Sequence, residues 1–246
     1  MPEFETTITK HMIYKALKAE DDVCVFECTL PSSVLMPYIS GQFAMVAVDE
    51  IKLLQNPNAL KWASYSISSS PSQKGMLEFC VGGGSPTGVT NHIMTKCISG
   101  SKIKVRGAFG NFKLNDAFDE LLLIATGTGI APIISMARTL LATGNKKPIT
   151  MVYGFRYSGI YLYQKEIEAL QKKHPNFKAL PIMSSMDDKA WKGERGHVQD
   201  VLGKHSFSNP EKINVYICGR PSIVDEIVAK LKSLSFDAAK IHFEKW

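Results

Sequence analysis

Long hydrophobic runs are absent from this sequence of 246 residues. No apolar stretch approaches the about 20 residues that a membrane-spanning helix needs. The first residues, from Met1 to Thr6, also lack the basic and then apolar pattern of a signal peptide. We therefore expect a cytoplasmic protein. Its hydrophobic content of 45% is enough for the core of one large domain or of two domains of ordinary size.

Closely spaced cysteines are absent as well. The cysteines are odd in number and show no C-x-x-C pair, which disfavours disulfides, structural zinc and an iron–sulfur cluster. The histidines likewise show no pair at metal-ligand spacing on one helix face. The sequence thus predicts no metal site. The cysteines are Cys24, Cys28, Cys80, Cys97 and Cys218.

Runs of like charge are missing too, although the net charge is +6. Lysines occur at most in pairs such as Lys146-Lys147, so nucleic-acid binding is not favoured. A moderate positive charge suits phosphate-bearing cofactors and an acidic protein partner. It is equally compatible with an ordinary solvated surface.

The first half of the chain has the pattern of short strands separated by Pro, Gly, Ser or Asp clusters. This spacing predicts a small closed antiparallel β-barrel of the Greek-key type, interrupted by one helix at residues 89–97. The predicted strands are residues 6–14, 23–29, 42–48, 61–67, 76–80 and 102–106.

The second half alternates between strands and helices, which predicts βαβ units and a doubly wound parallel sheet. We place the boundary so that residues 1–115 form the first domain and residues 116–246 the second. The predicted strands are residues 121–125, 149–153, 177–183, 215–218 and 241–243. The predicted helices are residues 133–142, 163–173, 197–202 and 222–234.

A glycine turn separates the first of these strands from its helix. Gly127 and Gly129 follow the apolar run 121–125, and Pro132 falls in the first helical turn, where its missing N–H costs nothing. Backbone N–H groups and the helix dipole then favour an anion, most naturally a pyrophosphate. The alternative is an ordinary tight turn. An ordinary dinucleotide fingerprint has a third glycine and an acid ending the next strand; here Pro132 and Arg156 stand instead.

Two polar clusters lie in the barrel half. Ser64, Tyr65 and Ser66 combine an aromatic ring with hydroxyl groups, which suits a flat heteroaromatic ligand, although a strand edge with a serine-rich turn explains them equally. The glycine-rich residues 82–88 precede the one predicted helix, which we expect Thr90 to cap beside a phosphate. A plain loop with a capped helix is the alternative.

Eight short motifs together resemble the ferredoxin–NADP⁺ reductase family, over nearly the whole chain. They are Gly41-Gln42-Phe43, Ser64-Tyr65-Ser66-Ile67, Gly88-Val89-Thr90, Gly107-Ala108-Phe109-Gly110-Asn111-Phe112, Gly127-Thr128-Gly129-Ile130-Ala131-Pro132, Tyr153-Gly154-Phe155-Arg156, Trp191-Lys192-Gly193 and Cys218-Gly219-Arg220-Pro221. The resemblance implies a barrel that binds FAD and a parallel-sheet domain that binds NADH or NADPH.

The resemblance also implies roles for individual residues. Ser66, Cys218 and Glu244 are the expected catalytic residues, although Cys218 is equally well explained as a buried cysteine ending a strand. The residues expected to contact the flavin are Tyr65, which would stack on its ring, with Ser64, Ser66, Gly88, Val89, Thr90 and Trp246. Those expected to contact the nicotinamide nucleotide are Thr126, Gly127, Thr128, Gly129, Pro132, Arg156, Cys218, Gly219 and Pro221.

The chain departs from the family pattern at two positions. Ala63 stands where members have an arginine that neutralises the FAD pyrophosphate, which predicts loosely held FAD or FMN in its place unless Lys61 substitutes. Ser185 stands where members have an arginine after Ser184, which favours NADH over NADPH, with Arg156 and Lys189 as the alternative phosphate ligands.

The leading functional hypothesis is an FAD-dependent NAD(P)H oxidoreductase that passes single electrons to a separate acidic carrier. That carrier would be a ferredoxin, a flavodoxin or the iron–sulfur component of an oxygenase. Because of Ala63, a flavin reductase that uses free flavin as substrate is the alternative. The third hypothesis, a non-catalytic electron-transfer subunit, is disfavoured because such relatives carry extra cluster-binding cysteines.

Overall fold

The first half of the chain forms an antiparallel barrel in the structure, a computed structural model that describes residues 2–246. Six strands pair in the order β6-β3-β8-β1-β2-β7, and β4 and β5 form a separate hairpin. A bridge between Ile67 and Phe79 joins the two edges, which confirms the predicted closure. The elements are β1 (Glu3–Tyr14), β2 (Val23–Thr29), β3 (Phe43–Ala47), β4 (Lys52–Leu53), β5 (Asn56–Leu60), β6 (Ala63–Ser66), β7 (Met76–Gly82), α1 (Val89–Thr95) and β8 (Lys102–Phe109).

Alternating apolar side chains fill the interior of this barrel. Phe26 on β2 and Phe79 on β7 lie with ring centres 5.2 Å apart and are fully buried. Helix α1 contributes Val89 and Ile93 to the same core. Strand β8 buries every second residue from Ile103 to Gly107, and its register is fixed because a slip by one residue would turn the apolar set toward water.

The second half forms the predicted parallel sheet, in which five strands pair in the order β11-β10-β9-β12-β13. The central strand β9 is buried on both faces, in keeping with its unbroken apolar run. The elements are β9 (Leu121–Thr126), α2 (Ile130–Ala142), β10 (Ile149–Phe155), α3 (Gln164–Lys173), β11 (Phe177–Met183), α4 (Val198–Lys204), β12 (Asn214–Gly219), α5 (Pro221–Ser233) and β13 (Ile241–Lys245).

Two compact units are distinguished by their internal contacts. The first comprises the chain up to Leu114 together with Ile134–Thr139, the middle of helix α2. The second comprises Asn115–Ile133 and Leu140–Trp246. Within residues 2–246, no helix combines the length and the apolar character needed to cross a membrane.

A buried polar network occupies part of the first unit. Arg138 lies 2.7 Å from the Glu78 carboxylate, and the Ser68 hydroxyl donates to the same carboxylate at 2.8 Å. The Ser135 hydroxyl donates to the carbonyl of Ser69 at 2.6 Å. Ser68 and Ser69 therefore use their polar groups within the protein, so this part of the serine-rich stretch is explained by folding alone.

We predict that Arg138→Leu lowers the free energy of unfolding by about 3–5 kcal/mol, because it leaves the buried Glu78 carboxylate without its cation. Urea unfolding followed by circular dichroism measures the change. Lys102→Ala, which removes the exposed pair with Glu5, serves as the control and should have no measurable effect. Equal unfolding curves for the two variants would contradict the prediction.

Candidate functional site

The glycine turn after β9 lies against the end of β12. A side chain at Gly129 would collide with the carbonyl of Cys218, and one at Gly219 would collide with the hydroxyl of Thr126. Gly127 has φ +55° and has no neighbouring atom where a Cβ would stand. The two strand ends therefore approach each other backbone to backbone, with space left above the turn.

The Thr126 hydroxyl is buried and, within the described chain, has no hydrogen-bond partner. It lies beside the glycine turn that leads into helix α2, where Pro132 occupies the first turn as expected. A buried hydroxyl of this kind, next to bare backbone N–H groups at a helix start, fits the phosphate of a dinucleotide. The sequence-predicted residues Thr126, Gly127, Thr128 and Gly129 are thus brought together here.

Cys218, the last residue before Gly219, is fully buried. The Trp246 indole N–H donates to its sulfur at 2.6 Å, and the Trp246 backbone N–H donates to the Gly219 carbonyl at 3.2 Å. Glu244 pairs with Cys218 in the register of β12 and β13. The structure therefore groups three predicted site residues, Cys218, Glu244 and Trp246, at the carboxyl edge of the sheet.

Burial raises the pKa of the Cys218 thiol, and the indole hydrogen bond offsets this only in part, while Glu244 raises it further. The thiol is therefore protonated at neutral pH and lies against its neighbours as a soft, uncharged group. Such a group suits contact with a neutral aromatic ring and does not suit nucleophilic chemistry.

Two further predicted residues lie on neighbouring turns of this edge. Arg156 directly follows β10 and is exposed, with its guanidinium 5.2 Å from the ring centre of Tyr157. Pro221 begins helix α5, directly after the N-cap residue Arg220. Both turns follow the ends of strands in a parallel sheet, where ligands of such sheets bind.

In the first unit, the hydroxyls of Tyr65 and Thr90 lie 2.9 Å apart. The prediction that Thr90 caps helix α1 is wrong: Gly88 is the N-cap residue, without a side-chain cap, and Thr90 is the second residue of the helix. The Thr90 hydroxyl pairs with the Tyr65 side chain, a long-range contact that local sequence does not reveal. Burial raises the pKa of Tyr65 to about 12, so the phenol is neutral.

The glycine-rich loop before α1 passes close to this hydroxyl pair. Gly83 has φ +67° and Gly84 has φ +96°, and a Cβ at Gly84 would stand 3.1 Å from the Thr90 Cβ. Larger residues in this conformation would be strained and would crowd Thr90. Gly88 and Val89 follow at the helix start, so loop and helix together offer neutral N–H and O–H donors of the kind that hold a phosphate.

Successive side chains of β6 point to opposite faces of the sheet, so the predicted flavin residues on this strand lie on two different faces. Ser64 pairs with Met45, which pairs with Arg106, so these three side chains share one face of the sheet. Tyr65 lies on the opposite, core-facing side and is buried, whereas Ser64 is exposed. Ser66 is buried and lies on the Ser64 face at the end of β6. The structure therefore brings Tyr65 to Thr90 but does not bring Ser64 there.

The structure also reveals a cation that sequence reasoning missed. The Arg106 guanidinium lies 4.2 Å from the centre of the Trp62 ring, and its Nε is buried without a hydrogen-bond partner among residues 2–246. Arg106 does not replace the arginine missing at Ala63, because Ala63 lies on the other face of β6. No sequence signal marked Arg106, since its neighbour Trp62 lies far from it in the sequence, in the segment between β5 and β6.

Two family models match the chain in the same order as the two units. The oxidoreductase FAD-binding domain matches residues 11–114, and the oxidoreductase NAD-binding domain matches residues 123–229. The chain belongs to the ferredoxin–NADP⁺ reductase family. Its two domains are those of NAD(P)H-dependent flavoprotein oxidoreductases. The first is an FAD-binding domain, and the second is an NAD-binding domain.

Similar proteins include electron-transfer components of oxygenases. The chain is 25% identical to the anthranilate 1,2-dioxygenase electron transfer component of Acinetobacter baylyi, over 86% of this chain and 59% of that protein. It is 30% identical to the phenol 2-monooxygenase reductase component of a Pseudomonas species, over 80% of this chain and 54% of that protein. It therefore spans about half the length of the curated relatives it matches.

A solved structure supports the fold of this family member. The ferredoxin–NADP⁺ reductase of Neisseria gonorrhoeae, determined with bound FAD and NADP, superimposes with a TM-score of 0.80 at 17% identity. The match covers 99% of this chain and 98% of that one. Within residues 2–246, no group of three or more His, Cys, Asp or Glu side chains is placed to hold a metal ion.

We predict that Gly129→Ala and Gly219→Ala weaken nucleotide binding at least tenfold, roughly the effect of a small misplacement of binding groups. The added methyl group would push the β9 turn away from the β12 end. Isothermal titration with NAD⁺ measures the effect. The control is Gly203→Ala in α4, where the new Cβ meets only the flexible Lys230 side chain at 3.4 Å. Binding unchanged in the first two variants would contradict the prediction.

Proposed function

We propose that the chain is an NAD(P)H-dependent flavoprotein reductase that passes single electrons to a separate acceptor protein. Residues 1–115 would form the FAD-binding domain and residues 116–246 the NAD(P)-binding domain. The observation that carries this proposal is the presence of both oxidoreductase domains in one chain. The second domain also has a glycine turn in which open space adjoins Gly127.

FAD supplies the redox chemistry when it is bound, because it accepts a hydride from the nicotinamide and releases electrons one at a time. The protein then has to bind and orient two rings and to exclude water. Gly127, Thr128 and Gly129 bind the nicotinamide nucleotide through backbone N–H groups, and the buried Thr126 hydroxyl adds a further polar contact.

Cys218 and Trp246 orient the nicotinamide in this proposal. The thiol is neutral and buried under the Trp246 indole, so a nicotinamide that contacts the sulfur takes the position of the indole. Glu244, next to Cys218 across the two strands, supplies a carboxylate at the same edge. In the first domain, Tyr65 and Ser66 would contact the flavin ring, and Gly88 with Thr90 its pyrophosphate.

The acceptor is proposed from charge and from relatives. Two relatives are named as an electron transfer component and a reductase component of oxygenases. A net charge of +6 favours an acidic acceptor through long-range attraction. We therefore propose an acidic one-electron carrier, a ferredoxin, a flavodoxin or an oxygenase component.

Anaerobic titration of the FAD-loaded protein with NADH and with NADPH tests the proposal. We expect loss of the oxidised-flavin absorbance near stoichiometric nucleotide, followed by reoxidation when a one-electron acceptor such as ferricyanide is added. A flavin that stays oxidised with both nucleotides would overturn the proposed activity.

A flavin reductase that releases its flavin is the second candidate function, and the residue at position 63 favours it. Ala63 provides no charge near the Tyr65 and Thr90 hydroxyls, and Arg106 lies on the other face of the sheet. Gel filtration of the FAD-loaded protein separates the two functions. Flavin that elutes with the protein supports the first candidate, and colourless protein with NADH-dependent reduction of added flavin supports the second.

We predict that Ala63→Arg tightens FAD binding about ten- to hundredfold, the gain that one charge-assisted hydrogen bond to a phosphate gives. Fluorescence titration of the apoprotein with FAD measures it. Ser64→Arg adds the same charge on the opposite, exposed face and should leave the affinity nearly unchanged. Equal effects of both variants would show a general effect of charge and contradict the prediction.

A further inference from the structure

Strand β13 forms one edge of the parallel sheet, and its outer side pairs with no other strand of residues 2–246. The Trp246 backbone N–H donates to the Gly219 carbonyl of β12, so the even-numbered residues at this end of the chain direct their backbone groups toward β12. Alternate residues of a strand form hydrogen bonds to opposite sides. The backbone groups of Ile241, Phe243 and Lys245 therefore point away from the sheet.

The opposite edge of the sheet, strand β11, is closed at each outward position. The Ile149 N–H of β10 donates to the Asn176 carbonyl at 2.8 Å, so the odd-numbered residues of β11 face outward. One of them is Pro181, which has no N–H. The other three have their N–H groups bound within the chain: Phe177 to the His174 carbonyl at 2.9 Å, Ala179 to the Gln171 side chain at 2.6 Å and Met183 to the Glu194 carbonyl at 3.1 Å.

Strand β13 lacks this closure. The Ile241 N–H donates to the Ala238 carbonyl, but among residues 2–246 the N–H groups of Phe243 and Lys245 have no partner. The Phe243 side chain is 47% exposed, so helix α5 does not cover it. Proteins usually block open strand edges, because an open edge pairs readily with a further strand. Of the two edges of this sheet, only β13 is therefore available for pairing.

The residues of β13 are complementary to a second copy of the same strand. A two-fold axis brings two copies together antiparallel, and residues directly opposite each other then share a face and interact. With the axis at Phe243, this residue opposes itself and its outward N–H and C=O groups bond to those of the second copy. His242 opposes Glu244 of the second copy, and Ile241 opposes Lys245. Every residue of β13 is paired, and no like charges meet.

The neighbouring registers are less favourable. An axis at His242 sets two imidazoles opposite each other, and an axis at Glu244 sets two carboxylates opposite each other. Each of these registers also leaves the two residues at one end of β13 outside the pairing. Like charges directly opposite destabilise a strand pair, whereas an imidazole N–H donates to a carboxylate. The sequence of the strand thus selects the register centred on Phe243.

We propose that the protein forms a two-fold symmetric dimer by antiparallel pairing of its β13 strands, centred on Phe243. The two five-stranded sheets then continue into each other across the axis. On one face the exposed Phe243 rings of the two copies meet, and on the other face His242 of each copy contacts Glu244 of the other. The second copy supplies the partners that the outward backbone groups of β13 lack in the single chain.

Sedimentation velocity of the FAD-loaded full-length protein over a concentration series tests this proposal. We expect a dimer whose fraction rises with concentration. Phe243→Glu removes the aromatic pair and sets two carboxylates opposite each other, so it should raise the dimer dissociation constant at least about tenfold. Leu54→Glu makes the same kind of change at a fully exposed residue of the β4–β5 hairpin and should have no effect.

A protein that stays monomeric throughout the series overturns the proposal. A dimer that Phe243→Glu does not weaken, or that Leu54→Glu weakens equally, overturns the assignment to β13. Circular dichroism of each variant shows whether its fold is kept.

A charge exchange tests the register. His242→Glu sets glutamates opposite each other on both sides of the axis and should weaken the dimer. Adding Glu244→His to the same chain restores an imidazole opposite each carboxylate and should recover the association. A double variant that associates as weakly as His242→Glu would overturn the register centred on Phe243.

Cysteine cross-linking gives a second measure of the register. In Phe243→Cys the two new thiols are in directly opposite residues, with Cα atoms about 5.5 Å apart, within the range of a disulfide. Oxidation with diamide should therefore yield a covalent dimer on a non-reducing gel. In Lys245→Cys the thiols are about 14 Å apart along the strands and should not join. The cysteines of the chain are buried. Equal cross-linking of both variants would contradict the pairing.

Discussion

The close backbone approach between the turn after β9 and the end of β12 is the constraint on which the second unit depends. Gly129 lies against the carbonyl of Cys218, and Gly219 lies against the hydroxyl of Thr126, so each strand end requires a glycine because of the other. This packing leaves the buried Thr126 hydroxyl without a hydrogen-bond partner in the described chain, next to the turn that leads into α2. It also fixes Cys218 beside the same turn, so the proposed phosphate contacts and the proposed nicotinamide contact depend on the same packing.

Charges inside the protein are used mainly to hold its own backbone and side chains. Arg138 pairs with Glu78 in the first unit, and in the second unit Arg195 holds three carbonyls while Asp188 holds Ser158. In the proposed function, phosphate recognition is therefore left to neutral donors in the glycine-rich loops. In that proposal, the shortage of unpaired cations limits how firmly FAD is held.

Segments with strong local patterns were predicted closely. The strands at residues 23–29 and 177–183 have the predicted bounds, because apolar residues fill them and polar or turn-forming residues end them. The β4–β5 hairpin was missed, since Asn and Pro in Asn56–Leu60 are typical of loops. Helix α2 begins three residues earlier than predicted, because the turn at Gly127–Gly129 is itself helical and runs directly into it.

The sequence by itself determined the barrel, the parallel sheet, their order and the glycine turns, because periodicity and turn residues act over a few neighbours. Tertiary structure decided which side chains meet: Thr90 with Tyr65 rather than with its own helix end, Trp246 with Cys218, and Arg195 with the carbonyls of its loop. It also decided on which face Arg106 lies, since strand register sets that. These contacts depend on how distant strands pair, and no local pattern encodes them.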